Sequence, residues 1–145
     1  GYEVEDIVDV VRANFDRRVM FYNGRVDLAP GITLEPTPGH TPGQQVVRVH
    51  TRRGWVTLLS DASHYYENIR DCRPYPAATN LPDLVDSFEK ILTMSGGIDY
   101  VIPGHDPLIR EIYPPRSPEL SGAVIRLDVP PDAEKFDAYW QNLKR

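Results

Sequence analysis

Cysteine is almost missing from this chain. Cys72 stands alone, so no internal disulfide can form and a reducing compartment is permitted. No apolar run approaches the roughly 18 residues of a membrane-spanning helix, and no signal peptide is visible. Lysine is scarce, at Lys90, Lys135 and Lys144, and the net charge of -5 argues against a nucleic-acid or anionic-membrane surface. Neither His-x-x-x-His nor His-Glu-x-x-His occurs, so no helix face carries two metal ligands by that spacing. There is no internal repeat and no low-complexity tract. The first residue is Gly1 rather than Met, as in a processed, engineered or excised polypeptide. The expectation from these absences is a cytoplasmic protein with no nucleic-acid and no membrane partner.

What remains is an ordinary globular mixture, 41% hydrophobic and 26% charged over 145 residues, long enough for one unit with a real core spanning residues 1–145. Val4, Ile7, Val8, Val11 and Phe15 recur at helical spacing and predict an amphipathic helix over about 3–15. Residues 19–22 read as extended, Asn23-Gly24 as a hairpin turn, and residues 25–28 as the returning strand. Pro30-Gly31 turns the chain again before a strand over 32–35. Residues 45–50 alternate, Arg53-Gly54 turns, and the nearly all-apolar Trp55–Leu59 fits a central strand covered on both faces. Residues 63–70 are a loop or short helix. Leu84, Val85, Phe88, Ile91 and Leu92 mark a helix capped by Asn80 and stopped at Gly96. Short strands are expected at 99–102 and at Ile125, Leu127 and Val129, with a proline-rich loop between them over 113–118. Phe136, Tyr139, Trp140 and Leu143 face one side of a last helix, started by Asp132 and favoured at its negative end by Lys144 and Arg145. Strands and helices interleave, which reads as α/β.

The chemistry concentrates at three strand ends. Thr37-Pro38-Gly39-His40-Thr41-Pro42-Gly43 sets a histidine between two Pro-Gly corners. Proline fixes φ and glycine permits positive φ, so such a loop has few conformations and its side chain is aimed. Leu58-Leu59-Ser60-Asp61 and Val101-Ile102-Pro103-Gly104-His105 end strand-like runs in the same manner. Imidazole and carboxylate are good ligands for zinc and similar ions, but His40, Asp61 and His105 amount to the minimum for one catalytic zinc and are too few for two metals. The bland alternative makes His40 a surface residue on a turn, Asp61 a helix cap and His105 a loop hydrogen-bonder. Composition and spacing alone leave both open. Cys72 has no catalytic partner in view, and Asp106 is a turn residue or the orienter of a neighbouring ligand. Tyr65, Tyr66, Tyr75 and Pro76 either line a groove for an acyl chain or pack on the body of the protein.

The wording of the loops adds to this. Pro38-Gly39-His40-Thr41-Pro42-Gly43, then Ser60-Asp61-Ala62-Ser63, then Ile102-Pro103-Gly104-His105-Asp106 resemble the metallo-β-lactamase superfamily, and within it the N-acyl homoserine lactonases. The resemblance runs through residues 19–128. It implies the C-terminal half of an αββα sandwich carrying two divalent metal ions, zinc being the expected one. By that resemblance His40 ligates the first metal, Asp61 bridges both and His105 ligates the second. The family's opening His-x-His-x-Asp-His is absent from this chain. The resemblance therefore implies a partner, the N-terminal half of the same protein, without which metal is expected to bind poorly; a homodimer stays open.

The implied activity is opening of the lactone ring of N-acyl homoserine lactones, the reaction of quorum quenching, by a hydroxide held between the metals. A glyoxalase II-like thioesterase, a β-lactam hydrolase and a non-catalytic scaffold are the alternatives. Some lactonases carry a Tyr three residues after the bridging Asp, where it contacts substrate. Here that position is His64, followed by Tyr65 and Tyr66. Asp61, His64 and Tyr65 are thus the catalytic candidates, with His64 and Tyr65 as alternatives for the substrate contact.

Overall fold

A computed structural model describes residues 3–143. Its centre is a five-stranded sheet in the order β1 (Val26–Ala29), β2 (Ile32–Pro36), β3 (Gln45–Thr51), β4 (Gly54–Ser60), β5 (Val101–Pro103). The first four strands are antiparallel neighbours; tight turns join β1 to β2 and β3 to β4, the longer loop 37–44 joins β2 to β3, and β5 joins β4 in parallel after a long crossover. Helix α1 (Val4–Phe15) precedes the sheet. Short α2 (Tyr66–Arg70) and long α3 (Leu81–Ser95) fill the crossover, and α4 (Ile109–Ile112) and α5 (Ala133–Leu143) follow β5.

The register sorts the sheet's two faces. Ile32, Val49 and Val56 stand in one row, and Leu34, Val47 and Leu58 in the next, all on the same face. Arg48, Thr57 and Trp55 point the other way, toward α3. There Arg48 donates to the Met94 carbonyl at 2.7 Å, and the Thr57 and Ser95 hydroxyls meet at 2.7 Å. The α3 boundaries follow the sequence signals. The Asn80 side chain accepts from the Asp83 N–H at 3.2 Å, and Gly96 ends the helix at φ +80°. The core lies between this face and the helices, with Leu59, Leu84, Phe88, Ile91 and Val101 buried. The apolar face is covered only in part, since Val56 is buried while Ile32, Leu34, Val47, Val49 and Leu58 are half-buried. So β4 is central by pairing, as its sequence predicts, but it is not covered equally on both sides. Helix α1 forms as its periodicity demands, yet it buries none of its residues, and Val4, Ile7, Val11 and Phe15 stand exposed.

Three sequence expectations fail. Residues 19–22 form no strand, because β1 pairs with β2 across Pro30-Gly31 instead of with a preceding segment. Asn23-Gly24 is only a bend. Ile125, Leu127 and Val129 make no strand either; one bridge joins Ile125 to Pro115. The segment is held by side chains instead, with Arg53 donating to the Leu127 carbonyl at 2.9 Å and Arg52 to Asp128 at 2.7 Å. Near residue 99 the chain makes a 3-10 turn over Ile98–Tyr100, and strand pairing begins at Val101. The proposed role of Lys144 and Arg145 lies outside the described residues. Among the described residues no helix is long and apolar enough to cross a membrane.

Candidate metal centre

The loop after β2, the end of β4 and the end of β5 meet at one rim of the sheet. Two glycines make the approach possible. A Cβ on Gly39 would lie 2.4 Å from the Leu84 Cα, and the residue holds φ +135°, so the His40 loop can rest directly on α3 only with glycine there. A Cβ on Gly104 would lie 2.4 Å from the Ser60 carbonyl oxygen, so the His105 loop can lie against the end of β4. Between them β4 ends irregularly. Its register with β5 shifts after Leu58, and Ser60 takes a left-handed φ of +48°. That kink, unusual for serine, turns Asp61 away from the strand line.

The two loops that follow β4 and β5 are laced together. The Gly104 N–H donates to the Ser63 carbonyl at 2.9 Å, and the His105 N–H to the His64 carbonyl at 3.0 Å. Asp106 adds to this as a buried staple, with one carboxylate oxygen accepting from the Tyr66 N–H and the other from the Leu108 N–H, both at 2.9 Å. It ties loop to loop, and these two bonds go to backbone rather than to a ligand candidate.

At the meeting point the Asp61 carboxylate divides its oxygens. His105 Nε2 lies 2.6 Å from Oδ1 and His64 Nε2 lies 3.6 Å from the same atom, whereas His40 Nε2 lies 3.9 Å from Oδ2. His40 Nδ1 donates to the Ala77 carbonyl at 2.8 Å, which fixes the ring with Nε2 toward Asp61. The hydrogen bond with His105 holds the Asp61 carboxyl below its ordinary range, and the other two histidines add to that against the cost of burial. His64 is held below the ordinary imidazole range, chiefly by burial and next by the neighbouring His105. An ionised carboxylate and neutral imidazoles are the forms a metal requires. Donors at about 2.1 Å around a tetrahedral zinc stand about 3.4 Å apart, so two of the three spacings already suit an ion. The short His105–Asp61 contact is a proton-filled hydrogen bond that an ion would displace and widen. The donor set therefore fits the divalent metal that the resemblance implies.

His40, Asp61 and His105 thus come together as the sequence predicts, and His64 joins them. Tyr65 does not; it stands at the rim, 44% exposed, with its ring 6.4 Å from that of His64. Tyr66 lines no groove, being fully buried against Phe136 and Trp140. Two supports escape sequence reasoning. The Ala77 carbonyl fixes the His40 ring, and Tyr75 stacks on His64 at 3.7 Å between centroids and 15° between planes. Tyr75 also donates its hydroxyl to the Asp61 carbonyl, and burial beside Asp61 pushes its phenol up to about 12. The irregular stretch 71–80 gives no periodic signal for either; its prolines flanking Tyr75 are the one hint of a fixed loop.

No protein-family model matches the chain. An N-acyl homoserine lactonase of Bacillus cereus is 32% identical over 75 residues, which is 51% of this chain and 29% of that protein. The lactonase AiiA of Bacillus thuringiensis subsp. kurstaki is 42% identical over 53 residues, covering 36% of this chain and 21% of its own length. Among solved structures, an N-acyl homoserine lactone hydrolase with the product N-hexanoyl-L-homoserine at its catalytic metal centre superposes with a TM-score of 0.54 at 29% identity. It covers 61% of this chain and 36% of that one. AidC, a dizinc quorum-quenching lactonase in complex with the same product, gives a TM-score of 0.55 at 19% identity over 71% of this chain and 36% of its own, a likeness of fold. The sheet with its rim of histidines and Asp61 is thus a part of the metallo-β-lactamase fold. Within that class the chain is similar, in sequence and in structure, to the N-acyl homoserine lactonases. It spans between about a fifth and three-tenths of the length of the curated relatives it matches.

Proposed function

We propose that this chain carries the second half of the active centre of a metal-dependent lactonase that opens N-acyl homoserine lactones. The observation that carries the reading is the divided carboxylate: Asp61 turns one oxygen to His40 and the other to His105, as a bridge between two ions requires. Zinc is the ion that this donor set suits, with two per assembled site. When bound, the metal pair supplies a Lewis acid and a water acidic enough to attack at neutral pH. The chain's own groups do the rest. His40, with its tautomer set by Ala77, holds one side, and His105 holds the other. Asp61 keeps the two sides in register from its kinked loop and is placed to take the proton of the attacking water and return it to the ring oxygen as the ester bond breaks. Tyr65, exposed at the rim, is the group available to the lactone's polar atoms, because the Nε2 of His64 is turned inward to Asp61.

The same proposal includes a covering partner. The half-buried row of Ile32, Leu34, Val47, Val49 and Leu58 and the exposed stripe of α1 are apolar surfaces that a folded protein normally covers. We assign that cover, with the remaining ligands, to the N-terminal half of the same polypeptide; a homodimer is the competing outcome when mass in solution is measured. Zinc-loaded full-length protein tested against lactone, thioester and β-lactam panels checks the substrate. Ring opening of acyl homoserine lactones is expected, and thioester cleavage with no lactone opening would overturn the reading.

A further inference from the structure

His64 occupies the position where some lactonases place a substrate-contacting tyrosine, but its surroundings suit another task. Its Nε2 lies 3.6 Å from Asp61 Oδ1, the same oxygen that His105 Nε2 approaches at 2.6 Å. Ligand atoms of Asp61, His64 and His105 all lie within 4.8 Å of one another, and the His64 and His105 rings are 4.6 Å apart. We propose that His64 is a metal ligand, completing with Asp61 and His105 a one-ion site for a divalent ion such as zinc that is built entirely from this chain.

Three features hold His64 in that role. The backbone pair from Ser63 to Gly104 and from His64 to His105 fixes the two histidines side by side. Tyr75 stacks on the ring and donates to the Asp61 main-chain carbonyl, so a single side chain braces one donor ring and the backbone that carries a second donor. Asp61 and His64 lie three residues apart in one loop, whereas His40 stands on the other carboxylate oxygen and takes no part. Two imidazoles and one carboxylate form a three-ligand set with room for water, the pattern of catalytic rather than closed structural zinc. The inference shares Asp61 and His105 with the lactonase reading, needs no lactone, and replaces poor metal binding by this chain with one tight ion.

The test is zinc titration of this chain against a chromophoric chelator, with cobalt as a visible-absorption probe. One ion per chain is expected. His64→Phe keeps the stack on Tyr75 but removes the nitrogen, and is expected to weaken zinc binding by roughly tenfold or more and to weaken the cobalt bands. His40→Ala is expected to leave this ion's affinity nearly unchanged. Circular dichroism and melting of the apo-proteins check that each variant folds. Should His64→Phe fail to fold, the imidazole nitrogen shifts of the unaltered chain on adding zinc serve instead, with His64 Nε2 moving to the metal-bound range. Unchanged affinity and spectrum in folded His64→Phe, an unmoved His64 nitrogen, or no zinc bound at all would overturn the proposal. Zinc held through His64 in a protein that opens no lactone would sink the lactonase reading and leave this one standing.

Discussion

Two loops of this molecule carry the same tripeptide, Pro-Gly-His, and hold it differently. Around His40 the glycine lies on the backbone of α3, the ring is 25% exposed, and a carbonyl fixes its far nitrogen. Around His105 the glycine lies on the kinked end of β4, the ring is 55% exposed, and its near nitrogen is hydrogen-bonded to Asp61 itself. In the proposed site His40 is oriented from outside, by a carbonyl that does not depend on Asp61. In the same proposed site His105 is oriented by Asp61 itself, since a hydrogen bond occupies the place an ion would take. Identical local sequence sets the bend, and the element beneath decides what the histidine can do.

The glycines give the largest expected effects. Gly39→Ala meets α3 backbone and a left-handed φ together, and should cost about 4 kcal/mol of folding stability, against about 2 kcal/mol for Gly104→Ala, where only the clash applies. Urea unfolding measures both, and equal losses would break the contrast. His105→Ala should empty one metal position and remove most activity in the assembled enzyme; elemental analysis showing unchanged metal content would contradict the ligand assignment. Asn80→Ala, which removes the cap of the helix beneath His40 alone, should cost about 1 kcal/mol.

The smallest effect is a pH dependence. The Asp61 carboxyl is depressed mainly by its hydrogen bond with His105, so its contribution to stability is present above the ordinary carboxylate pKa of about 3.9 and fades as pH falls through the depressed value. In metal-free protein His105→Ala should flatten that part of the acid limb, seen in unfolding midpoints below about pH 4. His40→Ala should leave most of it. If both variants flatten it alike, the two loops are not held as differently as described.

The rim of the sheet was legible in the sequence because proline and glycine restrict the chain before any tertiary contact forms. Helix α3 was legible because its stripe, its asparagine cap and its left-handed glycine agree. Elsewhere local pattern misled. Asn23-Gly24 signals a turn, but a hairpin needs a partner register, and β2 had already taken β1. Alternation at Ile125 and Leu127 reflects two side chains leaning on the core, fastened by Arg53 rather than by a ladder. The work of Tyr75 and Ala77 is purely tertiary: an irregular segment crosses the rim and offers a ring and a carbonyl to residues far away in sequence. The apolar stripe of α1 was read correctly as a helix face, yet periodicity does not name what covers it.

The central claim is that Asp61 stands between two metal positions, one on the His40 side and one on the His105 side. Anomalous diffraction from crystals of the zinc-loaded full-length protein tests it most directly. Two zinc peaks are predicted, one within bonding distance of Asp61 Oδ2 and His40 Nε2, the other of Asp61 Oδ1 and His105 Nε2. Zinc bound away from Asp61, or both histidines ligating one ion on the same carboxylate oxygen, would contradict it.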